Sequence, residues 1–453
     1  MNLYSMLEQR AQDGNPVRIG LIGAGKFGSM FLAQARRTPG FHVVAIADLA
    51  GDRAHATLAR IGWPEEAARA GSLDAALSGG GTWLTEDAAA LTGAPAIDVV
   101  IDATGVPEAG LRHASAAIAA GKHVIMVNVE ADVLAGPLLA EQAAAAGVVY
   151  SMAYGDQPAL IAEMVDWARA AGFRVVCAGK GTKYLPAYHS LTPDTVWERY
   201  GIAPEEAAAG GMNAQMFNSF MDGTKSAIEM AAVANACGLQ PAADGLAFPP
   251  CGVDDLARVL RPAADGGCLA RSGTVEVVSS LERDGRPVFR DLRWGVYAVF
   301  EAPDPYVARC FAEYGLATDP AGRFAAMYKP YHLIGLELGI SVANAALRGE
   351  ATGSPRAWIG DAVAVAKRDL AAGDRLDGEG GYTVWGKLMP AAASLAGRAL
   401  PIGLVHGIDL VRDVAQGAVL SWDDVAVSGD AEAYRVRRAM EERFAGRVSA
   451  AAE

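Results

Sequence analysis

The segment VRIGLIGAGKFG, residues 17–28, constrains the fold more than any other part of the chain. An apolar run over residues 17–22 reads as a buried strand, and a helical pattern over 26–37 follows it almost at once. A strand that reverses into a helix this quickly needs a tight turn at Gly23, an approach free of side-chain atoms at Gly25, and close helix-on-strand packing at Gly28. The first turn of such a helix points unpaired amides and the positive end of its dipole outward, an arrangement suited to a pyrophosphate.

The residues around this turn keep an alternating rhythm. After a short amphipathic helix over 3–11, strands are expected at 17–22, 42–48, 82–85, 97–102, 123–127 and 148–152. Helices are expected between them at 26–37, 52–61, 86–91, 107–120 and 137–146, with 71–81 as a loop-rich insertion. Strands joined through helices form a parallel sheet covered on both faces, so residues 1–155 read as a doubly wound Rossmann domain. In that context the glycine turn implies NAD(P), with contacts from Gly23, Gly25, Lys26, Phe27 and Gly28. Asp48, closing the second strand, suits ribose hydroxyls and repels a 2′-phosphate, which favours NAD; Lys26 and Arg53 are cations that oppose that preference. Thr104 and Gly105, in IDATG at 101–105, are expected at the cofactor's path along the carboxyl edge of the sheet, or else Thr104 caps the following helix.

The pattern then changes. Helices are expected at 157–171, 213–237 and 331–347, and strands at 174–178, 273–282 and 292–302, the last two forming an antiparallel pair. This makes 156–355 an α+β substrate domain. Beyond Gly353-Ser354-Pro355, short strands at 362–366 and 384–385 mark a β-rich module over 356–428, followed by a charged helical tail over 429–453.

Charge and composition exclude several classes of partner. With 39 Lys and Arg against 52 Asp and Glu, the net charge of −13 repels nucleic acid and anionic membranes. An anionic substrate would therefore need a local cationic pocket. The five cysteines are scattered without a CxxC pair, which argues against a disulfide framework. The first sixteen residues lack a signal-peptide core and no apolar run is long enough to span a bilayer, so a cytoplasmic location is expected.

Carbonyl reduction needs a cation or acid for the developing alkoxide and groups that hold the rest of the substrate. Lys180 and Lys183 flank Gly181-Thr182 in GKGTKY at 179–184, which reads as a glycine-rich turn after a strand. Asp222 and Lys225 lie three apart, on one face of the expected helix. These four, with Glu130, are the candidate catalytic groups, and Thr182 is a candidate substrate contact. MYKPYHL at 327–333 reads as a helix start, where Lys329 and His332 would clamp a phosphate or carboxylate. Glu130, Asp132 and Glu163 offer hard oxygens for Mg or Mn, should the substrate chelate through an α-hydroxyketone. The plainer readings are a surface ion pair for Asp222 and Lys225, a solvated strand end for Lys183, and helix-dipole complementarity for the acids.

Taken with IDATG and GKGTKY, the segments VAVAKRDLAAGD at 363–374, LPIGL at 400–404 and residues 417–425 carry a family resemblance. The chain resembles homoserine dehydrogenase-like proteins with a C-terminal SAF domain, a group that includes DXP reductoisomerase-like enzymes. That resemblance implies a small, SAF-like C-terminal domain, NADP as cofactor, a small anionic substrate such as a keto-sugar phosphate, and a homo-oligomer. Homoserine dehydrogenases carry an Asn-Lys pair after the strand matching 123–127, whereas here Asn128-Val129-Glu130 puts an anion near the lysine's place. That exchange argues against homoserine oxidation. A residual homoserine dehydrogenase, and a dinucleotide sensor whose C-terminal module binds a ligand, stay open as alternatives.

Overall fold

The computed structural model describes residues 2–209, 212–427, 429 and 431–450, and divides into two compact units. The first comprises Met1–Leu160 with Leu333–Ser354, the second Ile161–His332 with Pro355–Glu453.

In the first unit six strands form a parallel sheet in the order β3-β2-β1-β4-β5-β6. They are β1 (Val17–Ile22), β2 (Phe41–Ala47), β3 (Trp83–Thr85), β4 (Val99–Asp102), β5 (His123–Met126) and β6 (Tyr150–Met152). Ile19, Leu21, Val99, Ile101 and Ile125 are fully buried among helical residues such as Leu32 and Val342. Both faces of these strands are covered, which is why they read as unbroken β-branched runs. The order reverses beside β1, and ligands of such sheets bind at the carboxyl ends of the strands near that switch.

Three expectations for this unit change. Residues 71–81 contain the helix Leu73–Gly79, started by the Ser72 hydroxyl accepting from the Ala75 amide at 3.2 Å. The helix expected from Pro137 begins at Val129, capped by the Asn128 side chain, and Pro137 falls inside it next to a break at Ala135. Pro lacks the amide that a continuous helix needs there. The helix expected over 331–347 starts only at Gly339, because Gly335 takes a left-handed φ of +70° that no regular helix contains; Gly339–Arg348 then packs within the first unit.

The second unit holds a mixed sheet in the order β10-β9-β7-β8: β7 (Arg174–Thr182), β8 (Thr274–Ser279), β9 (Val296–Glu301) and β10 (Phe324–Lys329). The expected pairing of β8 with β9 is not made; β7 lies between them, parallel to β8 and antiparallel to β9. The stretch 179–182, expected as a turn, is the end of β7. A Cβ on Gly179 would sit 1.7 Å from the Glu276 carbonyl oxygen and one on Gly181 1.9 Å from that of Leu292. These glycines serve close strand packing rather than a turn.

The single helix expected over 213–237 is two, Ala214–Met221 and Thr224–Cys237. Gly223, at φ +94°, breaks it. Thr224–Cys237 is buried along most of its length and packs on β8 and on a two-stranded antiparallel sheet, β11 (Gly360–Ala366) and β12 (Val384–Pro390). The tail is the helix Glu432–Ala450, its last expected residues, 451–453, lying outside the described ones. It is anchored by Arg437, fully buried, which donates to Asp361 at 3.1 and 2.6 Å and to Glu441 at 2.9 Å. All five cysteines are free thiols. Among the described residues no helix is long and apolar enough to cross a membrane.

Candidate functional site

The turn after β1 separates its three glycines by what each must avoid. Gly23 has φ +96°, and a Cβ there would meet the Ala103 carbonyl oxygen at 2.6 Å; one on Gly28 would meet that of Gly23 at 2.3 Å. Gly25 is different, because an added Cβ would find no atom within 4 Å. Its bareness serves nothing inside the protein and leaves a cradle open above the helix Lys26–Ala35. Gly25 is also that helix's N-cap and has no side chain to satisfy the first amides. A pyrophosphate fits this cradle on shape and on charge.

Asp48, just past β2, is buried and ties the cradle together. Its Oδ2 accepts from the Ala24 amide at 2.8 Å, and its Oδ1 from the Ala50 amide at 2.9 Å and the Arg53 guanidinium at 2.8 Å. Burial works to raise its pKa, but the two amides and Arg53 together hold it below the ordinary carboxylate value. A carboxylate offers about four acceptor positions, so three bonds leave one for a ribose hydroxyl. The Arg53 side chain is 63% exposed, and such a surface pair constrains little. Lys26 is exposed and Phe27 half-buried.

At the end of β4, Asp102 receives the Thr104 hydroxyl at 2.9 Å on Oδ1 and stands 2.7 Å from His113 Nδ1 through Oδ2. Thr104 therefore turns inward. The following helix starts from Val106 with no side-chain cap, so Thr104 is not its N-cap. Gly105, at φ +68°, has open space beside it, and His113 is a participant that sequence reasoning missed.

Asp132 lines a small cavity with Met126, Val129 and Met152 at the carboxyl ends of β5 and β6. Burial raises its pKa to about 7, against the Tyr150 hydroxyl, which donates to Oδ1 at 3.0 Å. Its Oδ2 has no hydrogen-bond partner in the structure. Glu130 is half-buried in the first turn of the same helix. Among the described residues no three His, Cys, Asp or Glu side chains gather as a metal site, which leaves the Mg or Mn reading of Glu130, Asp132 and Glu163 without support.

In the second unit the predicted lysines sort by the register of the sheet. Lys180 pairs across with Val296, and Val296 with Lys329. Directly opposed residues point to one face, so Lys180 and Lys329 share a face two strands apart, roughly 10 Å; Thr182, two along β7 from Lys180, shares it too. Lys180 is buried and paired with Glu229 of Thr224–Cys237. Lys329 lies 5.7 Å from the Tyr331 ring centroid. Glu229 was not foreseen, since nothing local marks a partner 49 positions away.

The other candidates separate from this row. Lys183 follows the strand end and donates to the carbonyls of Arg199 and Tyr200; burial, with Arg293 nearby, holds its pKa below the usual lysine value. Asp222 is no surface partner of Lys225. It is fully buried, its Oδ1 accepts from the Thr224 amide at 2.9 Å, and its Oδ2 lies 2.8 Å from Lys367 Nζ. The break at Gly223 removes the continuous helical face on which Asp222 and Lys225 were expected together. His332 does not start a helix: it is half-buried just beyond β10, its Nδ1 2.7 Å from the Trp294 carbonyl oxygen.

Comparison with known proteins agrees with both units. Residues 17–127 match the model described as oxidoreductase family, NAD-binding Rossmann fold, and residues 155–338 that described as oxidoreductase DRL, catalytic domain. Among solved structures, the chain is similar to a homoserine dehydrogenase from Thiobacillus denitrificans, at 22% identity over 49% of each chain with a TM-score of 0.36. It is also similar to a probable dehydrogenase from Thermotoga maritima, at 14% identity over 74% of this chain and 90% of that one, with a TM-score of 0.36. A biliverdin reductase from Synechocystis, solved with biliverdin and NADP+, matches at 18% identity over 43% of this chain and 55% of that one, with a TM-score of 0.27. The match thus spans about half the length of the first of these solved relatives. No curated protein matches the chain.

Proposed function

We propose that this chain is an NAD(P)-dependent oxidoreductase that transfers hydride to or from a small hydroxylated carbonyl compound, with a keto-sugar phosphate such as 1-deoxy-D-xylulose 5-phosphate as the leading substrate. The observation that carries the reading is Gly25, whose missing side chain opens a cradle at a helix start while Gly23 and Gly28 are bare for packing reasons. The match of both units to oxidoreductase models supports the reaction class. The substrate class rests on the resemblance carried by GKGTKY and the C-terminal segments, and on the cationic row.

When bound, the nicotinamide supplies or accepts the hydride. The chain's own residues do the holding. Amides at the start of Lys26–Ala35 receive the pyrophosphate, and Asp48 keeps an acceptor for the ribose and repels a 2′-phosphate, so NAD is preferred over NADP. Lys329 and the Thr182 hydroxyl, on the sheet face where Lys180 is buried against Glu229, complement a phosphate or carboxylate. Glu229 fixes Lys180 and prevents its cation from being buried alone.

The test is a titration with NADH and NADPH, followed by cofactor oxidation with keto-sugar phosphates and with unphosphorylated keto-polyols, each with and without Mn. Turnover of phosphorylated ketones that collapses in Lys329→Gln is expected. Equal turnover of unphosphorylated ketones would contradict the role of the row, and no turnover with any carbonyl compound would favour the sensor reading.

A further inference from the structure

A second cavity, about 250 Å³, lies within the second unit, and none of the roles above uses it. Its walls include Phe248, Trp385, Val365 and Leu388, with Lys387 and Asp244 among its polar lining. It is separate from the cationic row. Ala227 lines it and Glu229 pairs with Lys180, and two residues along a helix are about 200° apart around its axis.

The aromatic walls are built with care. His189 stacks on Trp385 at 3.8 Å between centroids and 22° between planes, and Tyr184 stacks on Phe248 at 3.9 Å and 17°. Both His189 nitrogens are engaged, Nδ1 with the Asp222 carbonyl oxygen at 2.6 Å and Nε2 with the Tyr184 hydroxyl at 2.9 Å. A neutral ring with its proton on Nδ1 satisfies both contacts, and burial, the largest influence, lowers its pKa accordingly. Phe248 has a φ of +50°, a left-handed backbone that aromatic residues seldom adopt. The buried Glu276 holds it there by accepting from the amides of Ala247 at 3.0 Å and Phe248 at 3.2 Å. Strain kept in place by a dedicated clamp is a feature of ligand sites.

The polar lining narrows the ligand. Gly245 is bare where a Cβ would stand 3.2 Å from Lys387 Cε, so the lysine stem passes beside the residue that follows Asp244. Among the described residues neither Lys387 nor Asp244 is taken up by an ion pair or side-chain hydrogen bond. One cation and one anion at an apolar, ring-walled cavity complement a molecule bearing both charges and a ring. An apolar cavity of ~150 Å³ is enough for benzene, so this volume takes a ring with a short charged substituent.

We propose that this cavity is a binding site for a small zwitterion with an apolar ring, of the aromatic α-amino acid class, with Lys387 receiving the carboxylate and Asp244 the ammonium. Calorimetric titration of the full chain with L-phenylalanine, hydrocinnamate and phenethylamine tests it. One L-phenylalanine per chain is expected, with each singly charged analogue at least about tenfold weaker. Lys387→Gln should remove the advantage of L-phenylalanine over phenethylamine, and Asp244→Asn its advantage over hydrocinnamate. Wild-type-like far-UV circular dichroism and cooperative thermal melts of both variants show that the second unit, which holds both substitutions, still folds. No L-phenylalanine binding at about 10 mM, equal affinity for the singly charged analogues, or indifference to both substitutions would overturn the assignment.

Discussion

Gly25→Ala separates a glycine kept for a ligand from glycines kept for the fold. Gly25 has φ −69° and ψ −157°, an extended conformation open to any residue, and its new methyl would touch nothing within 4 Å. The variant should therefore melt at or slightly above the wild-type temperature, since replacing glycine at a compatible position stabilises by about 0.4–1 kcal/mol. The methyl occupies the space a pyrophosphate must enter. Pushing the phosphates outward forfeits one or two hydrogen bonds to charged oxygens, each worth about 1.5–3 kcal/mol, so NADH affinity should fall roughly tenfold to ten-thousandfold. Gly28→Ala is the counterpart: its methyl would lie 2.3 Å from the Gly23 carbonyl oxygen, and the overpacked turn should cost about 1–3 kcal/mol of stability. Thermal melts and NADH fluorescence titrations of both variants decide the matter. Wild-type NADH affinity in Gly25→Ala, or a loss of stability as large as that of Gly28→Ala, would show that Gly25 is not kept bare for the pyrophosphate.

Asp48→Ser should move the NADH-to-NADPH affinity ratio toward NADPH by about tenfold or more, because it removes the anion and releases Arg53 for a 2′-phosphate; competitive titration measures the ratio. Lys180→Gln leaves Glu229 buried without its cation and should cost about 3–5 kcal/mol in denaturant unfolding, most of which Glu229→Gln in the same chain should restore while activity stays low. Asp132 has its pKa raised from 3.8 to about 7, so between those values the folded state binds the extra proton. Stability from this group is then present at low pH, is lost as pH rises toward 7, and levels off above it, an effect of up to about 4 kcal/mol. Unfolding curves across that range should show a shallower decline in Asp132→Asn than in the wild type, with Glu276, raised to about 7 as well, supplying the slope that remains.

The first unit was legible because its signals are local. Strand, glycine turn, helix and the closing acid at Asp48 fall within residues 17–48, and buried parallel strands cannot avoid apolar, β-branched sequence. The second unit hid its logic in distance. GKGTKY looks like a turn until the carbonyls of Glu276 and Leu292 show that its glycines serve strand packing. One glycine, Gly223, divides an otherwise continuous helical pattern and sends Asp222 to Lys367 rather than to Lys225. MYKPYHL carries helix-start chemistry but its first residues complete a β-ladder with β9, where pairing outweighs local preference. Glu229, Lys367 and His113 could not be paired with their partners by spacing, because buried polar contacts follow the tertiary fold and not the sequence.

A crystal structure of the chain grown with NADH should show the pyrophosphate over Gly25, within hydrogen-bond distance of the amides that begin Lys26–Ala35, and a ribose hydroxyl on Asp48. A nucleotide bound elsewhere, or a Gly25 cradle that stays empty at saturating NADH, would rule out this cofactor site.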